Sequence, residues 1–475
     1  MYDRMNIFNH KQIKTLVITT VVLMSTLPAA KQASAEGRQV PDNLIKVEQD
    51  RFVDIGAAKL ITVEPHLAAD PRDPKHLVAA VTLIEKYGDP RHPVEGDSEF
   101  FCSALTSFDA GRTWTRHDFP GDRCIDPWVA ILPNGKAIFA GLAYGDRGFG
   151  LVCFRSADGG RTWSDKPVSL GLGHDHGTLA VDATGGAFDG SVYVAAYQGQ
   201  SARGKPTRHV SFIARSTDGG ASFQNPARVI TSNLATWTMN PVILSDGLLV
   251  VPLINIARIQ PGGRFGKLER WPSWVITSTD GGKTFSPPLF MTDVCTTGRG
   301  FPELAVDAST GPYQDRLYFV CNDQAYERVY VVTSADRGET WSEPLVVNRG
   351  SGNISFVQNS VIAVNRNGVV GVAWYDARND RRQYRGTSRC QEIFFTASLD
   401  GGQTFLPEVK VSSAENCSDT PANGEAGRRY SAGGDYFGLA AAADGRFHVL
   451  WADSRTGIYQ LRTTALSLDS KTAQE

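Results

Sequence analysis

The sequence predicts an all-β protein built as a single β-propeller, seven-bladed by count with six blades as the alternative. Three observations lead there. One turn motif recurs six times, one type of apolar strand recurs seven times, and the last unit lacks a strand that the beginning of the propeller can supply. A period near 60 residues is the mark of an array of supersecondary units rather than of one continuous core.

The turn motif is Ser-x-Asp-x-Gly-x-Thr/Ser-Trp/Phe, opening at Ser107, Ser156, Ser216, Ser278, Ser334 and Ser398. Counted from Asp109 through Asp158, Asp218, Asp280 and Asp336 to Asp400, the intervals are 49, 60, 62, 56 and 64 residues. A short Asp accepts hydrogen bonds from amides just ahead of it, Gly supplies a positive φ, and the hydroxyls tie the loop ends together. The closing Trp or Phe anchors the turn in apolar surroundings. These aspartates are therefore structural staples between strands.

Each unit opens with an apolar strand, continues with a second strand rich in β-branched and aromatic residues, and runs a third strand into the box. The second strands start at Leu77, Ala137, Ser191, Leu248, Arg316, Val369 and Arg446, one more than the boxes. The seventh unit, from about Asp435 to Leu466, has three strands. A fourth from Leu44 to Val47 would close the ring and remove its open edge. No pattern supports a long helix or a second domain.

The first 35 residues read as a secretory leader: Lys11 and Lys14 precede the apolar run Leu16 to Leu27, and Ala33-Ser34-Ala35 offers a small-residue cleavage site. The expected layout is a leader over 1–35, a lead-in over 36–43, the propeller over 44–468 and a tail over 469–475, in a secreted or periplasmic protein without a membrane span. The leader carries +3, which leaves the remainder at −5 from a total of −2, a balance that argues against a nucleic-acid surface. Seven cysteines suit an exported chain. Hairpin neighbours suggest Cys390 with Cys417, Cys102 with Cys124 and Cys295 with Cys321, leaving Cys153, although six cysteines permit 15 connectivities.

In a propeller the innermost strands converge on a central channel. Their entrances read Glu64-Pro65-His66, Asp126-Pro127-Trp128, His174-Asp175-His176, Asn240-Pro241, Pro302-Glu303-Leu304, Gln358-Asn359 and Asp435-Tyr436. Gathered carboxylates raise one another's pKa and can divide acid and base duties. They also admit a structural calcium ion, and His174 and His176 could join a metal site. No cofactor is called for.

With these boxes covering most of the chain, it resembles the sialidases and the wider bacterial neuraminidase repeat (Asp-box) proteins. The resemblance implies a retaining exo-sialidase with a tyrosine nucleophile, a glutamate that activates it, an aspartate acid/base and three arginines clamping the substrate carboxylate. Tyr436, in Asp435-Tyr436-Phe437-Gly438-Leu439, resembles the nucleophile; Glu303 resembles its base and Asp97 the acid/base. Arg389 is similar in position to one clamp arginine. Glu64-Pro65-His66 stands where the family shows Arg-Ile-Pro, and Asn322-Asp323 stands near a second clamp position, so two of three arginines are displaced. Arg299, Arg428 or Arg429 could substitute, with Glu64, Asp126 and Asp435 lining the substrate mouth. The resemblance implies a glycan partner. The rival reading is a non-catalytic propeller that binds glycan or protein, with Trp128 and Trp237 as stacking surfaces.

Overall fold

A computed structural model describes residues 44–86, 99–120, 123–145, 148–172, 174–202, 205–224, 226–229, 234–259, 265–298, 300–350, 356–380 and 390–468. Seven antiparallel sheets account for its strands, and each is one blade of a propeller. Blade 1 runs Ile61–Ala69, Leu77–Lys86, Glu99–Ser107 and Thr115–Asp118 from the axis outward. Blades 2 and 3 repeat the order, with inner strands Cys124–Ile131 and His174–Val181. Blades 4 and 5 have divided inner strands, Leu234–Thr238 with Val242–Ile243, and Cys295–Thr296 with Glu303–Val306. Blade 6 begins with Val357–Val364.

Blade 7 has Gly438–Ala441, Phe447–Asp453 and Gln460–Leu468, and its fourth strand is Ile45–Val47 from the other end of the propeller. The register is Ile45 to Leu468, Lys46 to Ser467 and Val47 to Leu466. This pairing covers what would be an open edge, so the ring is closed by hydrogen bonds between the two ends of the propeller. The described helix is a single short turn, Gly424–Arg429, between blades 6 and 7.

The boxes lie between the third and fourth strands and follow one wiring diagram. In the first, Ser107 Oγ donates to Asp109 Oδ1 at 2.8 Å, Gly111 N–H donates to Ser107 Oγ at 2.8 Å, and the Thr113 amide and hydroxyl donate to Asp109 at 2.9 and 2.6 Å. The other five repeat it around Asp158, Asp218, Asp280, Asp336 and Asp400. Each closing aromatic seats in an apolar core: Trp163 against Phe119, Phe139 and Phe154, and Phe405 in the core of blades 5 and 6. In two boxes a side chain occupies the position where the others have Gly, so Ala110 and Arg337 are held at φ 62° and 68°.

Three disulfides join Cys102 to Cys124, Cys295 to Cys321 and Cys390 to Cys417, and Cys153 is a buried free thiol. The first ties blade 1 to blade 2, while the other two lie within blades 5 and 6. Among the described residues no helix is long and apolar enough to cross a membrane. The expected leader, lead-in and tail lie outside the described residues.

Candidate functional site

Four inner strands break their ladder at the same level. The register slips between Val63 and His66, Ile125 and Trp128, Asp175 and Thr178, and Gln358 and Val361. At each slip one non-glycine residue takes a left-handed backbone: Glu64 at φ 54°, Asp126 at 51°, His176 at 46° and Asn359 at 49°. Such a backbone costs on the order of 1–3 kcal/mol per residue, and a bulge re-aims its side chain. The fourfold recurrence of this strain marks one end of the channel as the candidate site.

Blade 7 meets that ring through two glycines. Glu64 N–H donates to the Gly433 carbonyl at 2.7 Å, and Asn359 Nδ2 donates to the Gly434 carbonyl at 2.8 Å. A Cβ on Gly434, whose φ is 129°, would lie 2.4 Å from Glu64 Cγ and 2.8 Å from its backbone nitrogen. Only glycine fits between these two neighbours, and it delivers Asp435 and Tyr436 to the channel.

Four carboxylates gather there, Glu64, Asp126, Asp175 and Asp435. Glu64 is 1% exposed, and burial followed by the Asp435 charge pushes its pKa from 4.5 up to about 7. Burial also raises Asp126 well above its ordinary value, reinforced by Glu64, Asp175 and Asp435. Asp126 nonetheless keeps part of its surface open to solvent. Arg429 donates from both terminal nitrogens to Asp435, at 3.3 and 3.0 Å. Tyr197 gives its hydroxyl hydrogen to Asp175.

An aromatic layer packs against the acids. His66 stacks on Trp128 and His176 on Phe301, each with ring centroids 3.7 Å apart; Trp237 lies 5.3 Å from Phe301, and Tyr197 5.3 Å from Trp237. Desolvation lowers His66 to about 3 and His176 to about 4, so both imidazoles are neutral at physiological pH.

Tyr436 sits inside this layer, with ring centroids 5.4 Å from Trp128 and 5.7 Å from His176. It is 2% exposed, and its hydroxyl donates to the Pro127 carbonyl at 3.0 Å. Desolvation, then the charges of Glu64, Asp126 and Asp435, pushes its phenol well above the ordinary value. Glu303 lies on the blade 5 inner strand, where it accepts the Ile362 amide at 3.2 Å and is raised by burial to about 8. No hydrogen bond joins it to Tyr436. Arg428 points away from the mouth, 72% exposed and paired with Glu425 at 2.7 Å, while its neighbour Arg429 faces the acids. Asp97, Arg299 and Arg389, and the side chain of His174, lie outside the described residues.

The structure thus brings Glu64, Asp126, Asp435 and Tyr436 to one cup. The inner-strand acids were readable from sequence, but the left-handed bulges were not. The Gly433-Gly434 pair was the available signal, since adjacent glycines before an inner strand mark a close backbone approach. Among the described residues no three ligand atoms at the mouth lie within 4.8 Å of one another; the group that does, Cys390, Glu415 and Cys417, has its sulfurs in a disulfide and offers no thiolate.

A closed ring of seven blades, six of them carrying an Asp box, with an acid-lined mouth defines a sialidase-like propeller. The chain matches the BNR repeat-like domain over residues 185–448 and belongs to that family. No curated protein matches it in sequence. Among solved structures it is similar to a protein of unknown function from Dyadobacter fermentans (12% identity, covering 90% of this chain and 100% of that one, TM-score 0.48). It is also similar to the Hadza microbial sialidase Hz136 (16% identity, 82% and 75%, TM-score 0.46). A third is a leech intramolecular trans-sialidase solved with 2,7-anhydro-Neu5Ac (11% identity, 89% and 93%, TM-score 0.43).

Proposed function

We propose that the protein is an exported glycoside hydrolase of the sialidase-like propeller class, acting on a terminal sugar of a glycan with the carboxyl groups of its mouth. The observation that carries this reading is the pairing of Asp126, whose carboxyl pKa is raised well above its ordinary value by burial and by neighbouring acids, with the ion-paired carboxylate of Asp435 in the same cup. A protonated acid beside a charged one is what glycosidic cleavage needs. Asp126 gives its proton to the glycosidic oxygen as the bond from the anomeric carbon breaks. Asp435 faces the developing positive charge. Water then adds to the anomeric carbon, and its proton returns the Asp126 carboxylate to the acid form.

Removing a general acid costs about 10²–10⁴ in rate, and the loss shrinks when the leaving group needs no proton. Asp126→Asn therefore loses that factor on alkyl glycosides and little on dinitrophenyl glycosides of the same sugar. An equal loss on both, or none on either, contradicts the assignment. Export is supported by the leader-like first 35 residues and is checked by sequencing the N-terminus of the protein recovered from culture.

A second reading keeps Tyr436 as a retaining nucleophile with Glu303 as its base, Asp97 as acid/base, and Arg389 and Arg299 gripping a sialic acid carboxylate. It is favoured by the place of Tyr436, one residue from Asp435 and within the field of Glu64 and Asp126. It requires the phenol to leave the Pro127 carbonyl for a carboxylate that can take its proton. Tyr436→Phe separates the two: turnover vanishes under the second reading and persists under the first. An umbelliferyl sialoside read beside neutral umbelliferyl glycosides reports the sugar. Glycan binding with every glycoside intact would point instead to a binding propeller.

A further inference from the structure

The second strand of each blade runs toward the acid mouth and the third runs away from it. At these ends of blades 4 and 5 lies a cleft of about 440 Å³, lined by Ile256, Lys267, Leu268, Trp271, Gln324 and Tyr326. That volume suits one or two sugar rings. Trp271 and Tyr326 are half-buried aromatics, while Lys267 and Gln324 are exposed hydrogen-bonding groups at the same cleft. A pyranose has an apolar C–H face and a rim of hydroxyls, and this lining matches both.

Tyr326 is placed at a cost. Its φ is 58°, an outlier for a bulky side chain, and the backbone holds it there: its N–H donates to the Asp323 carbonyl at 3.1 Å and its carbonyl accepts the Val357 amide at 2.7 Å. A Cβ on Gly298 would sit 2.2 Å from the Tyr326 hydroxyl, so that glycine leaves the room the ring needs. Gly298 is three residues before Phe301, whose ring stacks on His176 in the aromatic layer. The cleft and the catalytic cup are therefore flanked by one stretch of chain.

We propose that this cleft is an outer subsite that takes a neutral sugar unit of the glycan, stacked on Trp271 and Tyr326, beyond the sugar held in the cup. The inference rests on the glycosidase reading of the mouth. It locates the second sugar of the substrate.

Saturation-transfer NMR on the full chain tests it with four probes: lactose, maltose, cellobiose and N-acetyllactosamine at millimolar concentration. At least one is expected to draw saturation through its ring C–H protons, and Trp271→Ala is expected to weaken its Kd by about tenfold or more, the equivalent of about 1.4 kcal/mol. Gly298→Ala, which crowds the tyrosine, is expected to weaken the same probe and covers the case in which Trp271→Ala does not fold. Absence of binding by all four probes, or an unchanged Kd in a folded Trp271→Ala protein, overturns the proposal. Asp126→Asn keeps the disaccharide signal if the subsite stands, whatever it does to hydrolysis, so the fate of this site and that of the acid are read separately.

Discussion

In the proposed reading, Asp126 is the residue on which the chemistry turns. Its left-handed backbone points the side chain into the cup, and burial, reinforced by Glu64, Asp175 and Asp435, makes its ionisation unfavourable. Tyr436 illustrates how partners distant in the chain define a residue at this scale. The residue stands where a nucleophile was expected, yet its hydroxyl is bonded to a carbonyl, which cannot accept a proton, and its ring is packed between Trp128 and His176. Whether a tyrosine acts as a nucleophile or a pin depends on which group lies near its oxygen, and here that group comes from blade 2, distant in the chain, so Tyr436→Phe is the test that separates the two. The same holds for Arg428 and Arg429: one turn of helix decides which of two adjacent arginines meets Asp435, and no local pattern encodes it. Glu303 adds a test of its own. Its pKa, raised from 4.5 to about 8, means the folded state holds a proton that the unfolded state releases. Its contribution is thus present below about pH 4.5 and lost as pH climbs to about 8. Glu303→Gln is expected to flatten that decline in thermal midpoint over the interval, measured by calorimetry across pH.

Among the elements, the boxes were the most legible because their chemistry is local. Ser, Asp, Gly and Thr within eight residues make their own hydrogen bonds, so the turn forms without knowledge of the rest. Ala110 is the informative exception, since four sister boxes place glycine at its position while it bears φ 62°. Ala110→Gly is expected to stabilise by about 1 kcal/mol, read as a rise in denaturation midpoint, because glycine tolerates that backbone without a Cβ clash. The reverse applies at the mouth. Gly434→Ala would drive a Cβ to 2.8 Å from the Glu64 nitrogen, a backbone atom that cannot swing aside. A loss of about 2–4 kcal/mol is expected, with displacement of Asp435 and hence loss of turnover exceeding that of the thermal effect alone. The inner-strand bulges escaped the sequence because a one-residue slip is a tertiary event, set by how neighbouring strands converge around the axis.

At the scale of the whole molecule, closure and charge set the behaviour. The count of seven blades is readable because the apolar second strand recurs seven times, six of them in units that end in a box, and the missing strand of the last unit predicts its partner: Ile45–Val47 pairs with Gln460–Leu468. Removing residues 44–48 reopens that edge and is expected to convert a cooperative unfolding transition into a lower, broader one. The pH profile should be a dome with two different limbs. The box aspartates, with Asp158 and Asp218 held near 2 by hydrogen bonds from their own turns against the opposing effect of burial, contribute stability above about pH 3.8 that is lost as pH falls toward 2. Glu64 and Glu303, raised to about 7 and about 8, supply the opposite limb. The acid arm thus belongs to the staples and the alkaline arm to the buried inner-strand glutamates. The central claim is that burial and the surrounding carboxylates hold the proton of Asp126 well above the ordinary aspartate range in the folded protein, and carbon-13 NMR of carboxyl-labelled aspartate tests it, the resonance being assigned by its absence from Asp126→Asn. That resonance is predicted to change from the carboxylic acid position only well above the range of an ordinary aspartate, whereas a shift completed near pH 4, which is that ordinary range, would contradict the account.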